Sequence, residues 1–182
     1  MSKATLRTFI AYVEDLPGVL NRVTSLLRRR NYNIVSLTVG RTERPGASRM
    51  TIVLEADDDG ARRIEANLYK LVNVLWVQNA SETATMVREL ALIKVKTNSA
   101  DRGEVMRLCD VFRARVVDVG PEALVAEITG TGDKIDGLLD VLRPFGVVEM
   151  VRTGAVAMVR GSESDSDRNP SSPPPPGDIR AA

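Results

Sequence analysis

The sequence predicts an α+β protein made of two ferredoxin-like βαββαβ domains in tandem. Hydrophobic spacing alternates between the strand period of two and the helix period of 3.6 in the order βαββαβ. The same order recurs in the second half of the 182-residue chain. Each half spans about 75–80 residues, enough for one small domain with an antiparallel four-stranded sheet and two helices on one face.

In the first half, Leu6–Glu14 reads as a strand, with Phe9, Ile10, Tyr12 and Val13 as β-formers. Pro17-Gly18 breaks it. Val19, Leu20, Val23, Leu26 and Leu27 then fall at helical spacing, which predicts an amphipathic helix over Gly18–Arg30. Asn31 and Asn33 suit its end, because asparagine tolerates left-handed backbone better than most residues. Ile34–Arg41 alternates Val35, Leu37 and Val39 with Ser36 and Thr38 as a second strand. Arg44-Pro45-Gly46 is a turn, and Arg49–Ala56 is a third strand with Met50, Ile52 and Leu54 on one face. Asp57-Asp58-Asp59 introduces a helix carrying Ile64, Leu68 and Leu71, and Val74–Gln78 is the fourth strand.

The second half repeats the pattern. Arg88–Thr97 is a strand, and Val105, Leu108, Cys109 and Phe112 mark a helix. Ala114–Val119 and Ala123–Thr129 are strands around Gly120-Pro121. Ile135, Leu138, Leu139 and Leu142 mark another helix, Val147–Arg152 is a strand, and Ala155–Val159 is a candidate further strand. The expected division is a first domain over 1–80, a polar linker over 81–87, a second domain over 88–160, and a Ser/Pro-rich tail over 161–182. The tail is too polar for a core and is expected to be disordered. One face of each sheet is covered by helices, so the other face and the edge strands must be solvated or paired. Small domains gain from such pairing, which predicts a dimer.

Composition narrows the function. The chain has no histidine and one cysteine, Cys109, which removes the usual zinc ligand sets and the Ser-His and Cys-His nucleophile pairs. A net charge of +1 gives no general attraction to nucleic acid or anionic membrane. No apolar run approaches the roughly 20 residues of a membrane helix, and the first residues lack a signal-peptide core, so the cytoplasm is the expected compartment. Arg28-Arg29-Arg30 reads as cations at a helix C-terminus rather than a phosphate contact. Asp57-Asp58-Asp59 lacks the spaced oxygen ligands of a metal loop. Cys109, Tyr69 and Trp76 read as packing or interface residues. Arg49–Leu54 lacks the stacking aromatics of an RNA-recognition strand. An acylphosphatase-like hydrolase needs a cationic cradle after the first strand, where this chain has Glu14 and Asp15.

The loop Glu14–Leu20 has chemistry suited to a free amino acid. Unpaired N–H groups at a helix N-terminus serve a carboxylate, Asp15 accepts from an ammonium, Pro17 presets the helix entrance, and Gly18 admits close approach. From spacing alone a second reading stands beside it: Asp15 simply caps the helix and Gly18 simply turns the chain.

Several longer segments carry a resemblance. They are Val-Glu-Asp-Leu-Pro-Gly-Val-Leu-Asn-Arg-Val (13–23), Asn-Tyr-Asn-Ile-Val-Ser-Leu-Thr-Val-Gly (31–40), Ser-Arg-Met-Thr-Ile-Val (48–53), Leu-Tyr-Lys-Leu-Val-Asn-Val-Leu (68–75), Arg-Glu-Leu-Ala-Leu-Ile-Lys-Val (88–95), Phe-Arg-Ala-Arg-Val-Val-Asp-Val (112–119) and Leu-Arg-Pro-Phe-Gly (142–146). In this order and spacing, residues 4–161 resemble the small regulatory subunit of acetolactate (acetohydroxyacid) synthase. The resemblance implies an N-terminal ACT domain and a ferredoxin-like C-terminal domain. It also implies a non-catalytic chain that activates a separate large subunit and confers feedback inhibition by valine. Thiamine diphosphate, Mg²⁺ and FAD are expected on that catalytic partner and none on this chain. The partner joins two pyruvates, or pyruvate and 2-ketobutyrate, in valine, leucine and isoleucine biosynthesis. The family's effector sites lie where two ACT domains meet in a homodimer. Carried onto this sequence, one half is Asp15, Pro17, Gly18, Val19 and Leu20, and the other is Asn33, Ile34 and Val35 of a second protomer, with Asn21 just beyond. Many relatives have Asn at the position of Asp15, Gly at Asn31 and Glu at Val35. The last departure replaces a charge near the site and bears on effector preference. A free-standing ACT sensor of another enzyme is the alternative within the same fold.

Overall fold

Alternation of side chains across β1 (Thr5–Glu14) places Phe9, Ala11 and Val13 on one face, all buried. The computed structural model describes residues 4–160, and in it β1 is a central strand. It is followed by α1 (Val19–Arg29), β2 (Ile34–Arg41), β3 (Ala47–Ala56), α2 (Asp58–Leu68) and β4 (Val74–Asn79). The sheet is antiparallel in the order β2-β3-β1-β4. Its core joins Phe9, Met50, Ile52 and Leu54 from the sheet to Val23, Leu27, Ile64 and Leu68 from the helices. Asp57 caps α2 by accepting from the Gly60 N–H at 2.7 Å, with Asp58 and Asp59 in the first turn, so the acidic run is a helix entrance.

The second half repeats the arrangement with β5 (Thr85–Lys96), α3 (Arg102–Val111), β6 (Arg115–Val119), β7 (Ala123–Gly130), α4 (Gly132–Leu142) and β8 (Val147–Arg152). Its sheet order is β6-β7-β5-β8, the first order shifted by four strands, and a short β9 (Val156–Val159) pairs with β5. Its core gathers Ala91, Ile93, Val95, Val105, Ile128 and Leu138. Cys109 is buried in the same core, and burial with the nearby Asp110 pushes its thiol pKa up. It is therefore held as an unreactive thiol. The described residues divide into two compact units, 4–86 with 157–160, and 87–156.

The junction itself is structured. Ala80–Glu82 forms a single 3₁₀ turn, and β5 already begins at Thr85, whose Oγ1 donates to the Ala80 carbonyl at 2.9 Å. Residues 157–160 group with the first unit rather than the second. The expected disordered tail, 161–182, lies outside the described residues. Among the described residues no helix is long and apolar enough to cross a membrane.

The two sheets differ on the face turned away from their helices. In the first unit that face is buried: Ile10 and Thr51 are each 2% exposed, and Val53 and Trp76 are also buried. In the second, Leu92 and its cross-strand neighbour Val151 are exposed, beside the pair Lys94 and Glu149.

Both first helices end the same way. Beyond α1, Asn31 takes a φ of 60°, its N–H donates to Arg28 O at 2.9 Å, and the Tyr32 N–H donates to Leu27 O at 3.1 Å. Beyond α3, Arg113 takes a φ of 54°, its N–H donates to Asp110 O at 2.9 Å, and the Ala114 N–H donates to Cys109 O at 2.8 Å. Each is a Schellman motif whose left-handed position is not glycine. Arginine carries the left-handed penalty of about 1–2 kcal/mol in full, and asparagine less of it. Glycine removes the penalty at an entropic cost of about 0.5–1 kcal/mol. Arg113→Gly is therefore expected to raise stability by about 0.5–1 kcal/mol and Asn31→Gly by less. Urea midpoints of the two variants check this; a destabilised Arg113→Gly contradicts it.

Candidate functional site

The chain leaves β1 at Glu14 and enters α1 at Val19 through a loop fixed at its base. The Asp15 N–H donates to Gly46 O at 2.8 Å, and Ser48 Oγ donates to Asp15 Oδ1 at 3.1 Å. Arg41 Nε lies 3.4 Å from Asp15 Oδ2 in an exposed ion pair. Asp15 thus ties the loop to the β2–β3 hairpin and keeps acceptor capacity, since a carboxylate offers about four lone-pair sites. On the other side, the Glu14 carboxylate accepts from Asn73 Nδ2, and Asn73 Oδ1 accepts from Arg22, one turn into α1.

Gly18 is the N-cap of α1, with φ 85° and ψ −8°, and no side chain caps the helix. A Cβ built there meets nothing within 4 Å. The backbone conformation, not crowding, therefore selects glycine, and the space in front of the first turn is open. The N–H groups of Leu20 and Asn21 lie in that turn, where an α-helix supplies no carbonyl partner. No acidic residue occupies the turn, so its positive end of the dipole is unanswered. Asp15, Pro17, Gly18 and Leu20 are exposed around it, whereas Val19 is 3% exposed and its side chain belongs to the core.

The second group lies at the other end of α1. Asn33 and Val35 are exposed, and Ile34 is half-buried against the core. The register of β2 on β3 shifts between Ile34 and Ser36, leaving Val35 in a bulge, 53% exposed. A bulge re-aims a side chain off the regular pleat. Asn33 and Ile34 line an open groove of about 510 Å³ that follows the exposed side of α1 back to Asn21. Thr24, Ser25 and Arg28 line it too. Sequence reasoning left these out, although Asn21–Ser25 and Thr24–Arg28 form a polar row at the i, i+4 spacing of one helix face. It also missed Arg41, Ser48 and Asn73, which meet the loop only through the tertiary fold.

One protomer does not bring the two groups together. They flank an 11-residue helix, about 16 Å long at 1.5 Å per residue. Yet β2 is an edge strand, and its last residue, Arg41, touches Asp15. Among the described residues no group of three or more His, Cys, Asp or Glu side chains is placed to hold a metal ion.

Comparison with known proteins agrees with both halves of this architecture. Residues 9–76 match the family described as the AHAS small subunit-like ACT domain, and residues 88–161 match the one described as the small subunit of acetolactate synthase. The chain is 46% identical over 155 residues to the probable acetolactate synthase small subunit of Methanothermobacter thermautotrophicus, covering 85% of this chain and 92% of that one. It is 46% identical over 162 residues to the acetolactate synthase small subunit of Mycolicibacterium smegmatis, covering 88% and 95%. The crystal structure of the acetolactate synthase small subunit from Thermotoga maritima superposes with a TM-score of 0.81 at 37% identity, covering 87% of this chain and 99% of that one. With both domains matched in order and nearly the full length of these relatives spanned, the chain belongs to the acetolactate synthase small-subunit family.

Proposed function

We propose that this chain is the regulatory subunit of an acetolactate synthase: it activates a thiamine-diphosphate-dependent catalytic subunit and makes it sensitive to valine. The observation that carries the sensing half of this reading is the uncapped, glycine-led N-terminus of α1 beside an exposed carboxylate. A valine carboxylate there accepts from the Leu20 and Asn21 N–H groups, and its ammonium donates to Asp15. Thiamine diphosphate, Mg²⁺ and FAD belong to the catalytic partner in this reading.

The site is completed by a second copy. Pairing two β2 edges antiparallel about a two-fold axis sets Ile34 against the partner's Arg41, and Arg41 touches Asp15 within each protomer. That brings Asn33–Val35 of one chain to the Asp15–Leu20 loop of the other. Exposed Val35 and Val39 on an open edge support such pairing, since unpaired edges are normally covered. The side chains of Leu20 and Val35 then give the valine isopropyl group an apolar wall. Effector binding that favours one arrangement of the paired domains by about 1–3 kcal/mol gives roughly 5- to 150-fold coupling to the catalytic subunit.

The deciding experiment co-purifies the chain with a thiamine-dependent catalytic subunit and assays acetolactate formation with and without valine. Stimulation and valine inhibition are expected; a free-standing sensor of another enzyme gives neither. Gly18→Ala meets open space and is expected to cost about 1–2 kcal/mol of stability while leaving valine inhibition in place. Gly18→Asp adds a negative charge where the effector carboxylate docks and is expected to abolish inhibition while activation persists. Equal valine sensitivity in both variants places the effector elsewhere. Val35→Glu replaces half of the apolar wall by a charge and is expected to weaken valine binding about three- to tenfold by calorimetry. Unchanged binding removes the start of β2 from the site.

A further inference from the structure

The charges around the loop at Asp15–Leu20 are answered in two different ways. On one side Asp15 meets Arg41 directly, as an exposed ion pair. On the other, Glu14 and Arg22 form no ion pair among the described residues, and the Asn73 amide stands between them. Asn73 Nδ2 donates to Glu14 Oε2, and Asn73 Oδ1 accepts from Arg22 Nη1. One orientation of the amide serves both neighbours, with its NH₂ toward the carboxylate and its oxygen toward the guanidinium. An aspartate at this position has no donor for Glu14, and a lysine has no acceptor for Arg22.

Asn73 is itself fixed. It lies in the turn ahead of β4, which the Val74 N–H closes on Leu71 O at 3.0 Å. Its own carbonyl accepts from the Glu14 N–H at 3.0 Å. The bridge therefore draws the Arg22 side chain back from α1 to the end of β1, where the loop begins. Arg22 is the first charged residue of α1. A cation near a helix N-terminus opposes the macrodipole, so its charge does not serve the helix. For an anion arriving at the same end, dipole and guanidinium act together.

We infer that Arg22 is the cation that attracts the effector's carboxylate to the start of α1, and that Asn73 is a positioning residue that keeps this cation in place and unneutralised. A neutral amide anchors the guanidinium by a hydrogen bond without cancelling its charge, as a carboxylate in its place would. The inference rests on the reading of the loop as an amino-acid site. It adds to that site a full positive charge, which the Leu20 and Asn21 N–H groups do not supply. Arg22 acts through space, so its contribution depends on salt: exposed charges are screened over about 10 Å at ~0.1 M ionic strength.

The full chain is titrated calorimetrically with valine in about 0.02 M and about 0.5 M salt. Arg22→Gln removes the charge and keeps a donor for Asn73 Oδ1. Asn73→Asp keeps the side-chain shape and gives Arg22 a carboxylate. Each variant is expected to bind valine about threefold more weakly at low salt, and the difference from the unaltered chain is expected to vanish at high salt. A displaced first turn weakens binding equally at both salt concentrations, and that result overturns the inference. Unchanged affinity at low salt overturns it too, while leaving the loop assignment standing. Should Asn73→Asp not fold, Arg22→Gln decides alone, since Arg22 is exposed. Absence of valine binding to the unaltered chain overturns the loop reading itself, and this inference with it.

Discussion

The left-handed backbone at Gly18 is the constraint on which the rest of the first unit turns. β1 is held by β3 through Glu14 and by β4 through Val13, so the chain has four residues in which to reverse and start a helix. Glycine makes the reversal at φ 85° without strain. The consequence is a helix whose first turn has neither a side-chain cap nor an acidic residue. Such an end is a loss to the isolated helix, since a good cap is worth about 1 kcal/mol. Val19, Val23 and Leu27, all buried, hold α1 in place through packing instead. The start of α1 stays uncapped because the core, not a cap, secures the helix.

Duplication explains why the molecule is legible twice, and divergence explains where the two halves part. Both sheets keep one strand order, and both first helices end in the same hydrogen-bonded turn. The entrances differ. In the second half, Arg102 donates from Nη2 to the carbonyls of Gly120 and Pro121, and Asn98 folds onto Asp101 and Ala100 ahead of α3. The space before α3 is thus occupied by the chain's own polar groups. Among the described residues, the start of α3 is filled by local polar groups where that of α1 is left open.

Elements with strong local patterns were plain in the sequence. Ile34–Arg41 and Val147–Arg152 have the expected bounds, and α1 differs from expectation by one residue at each end, because hydrophobic period and Pro-Gly punctuation are local signals. The junction was not legible. Ser81–Thr85 is polar, yet Thr85 is already in strand because pairing partners far along the chain extend β5. The positive φ of Arg113 was hidden as well, since nothing in arginine itself favours it. At the candidate site, Asp15 and Gly18 stood out by type and spacing. The Ser48 hydroxyl that holds Asp15 lies 33 residues away, and no local pattern announces it.

The Asp15 side chain does not cap α1. A capping aspartate would turn its oxygens to the N–H groups at the start of α1, as Asp57 does at α2. Asp15 instead turns to Ser48 and Arg41 on the hairpin and leaves the helix end unanswered. The carboxylate and the helix end are thus neighbours that do not neutralise each other. A zwitterion carries one group for each, a carboxylate for the helix and an ammonium for Asp15. A simple anion uses only the helix, and a simple cation only the aspartate. In the proposed function, separation of the two charges by the Pro17-Gly18 turn is what favours an amino acid over a simple ion.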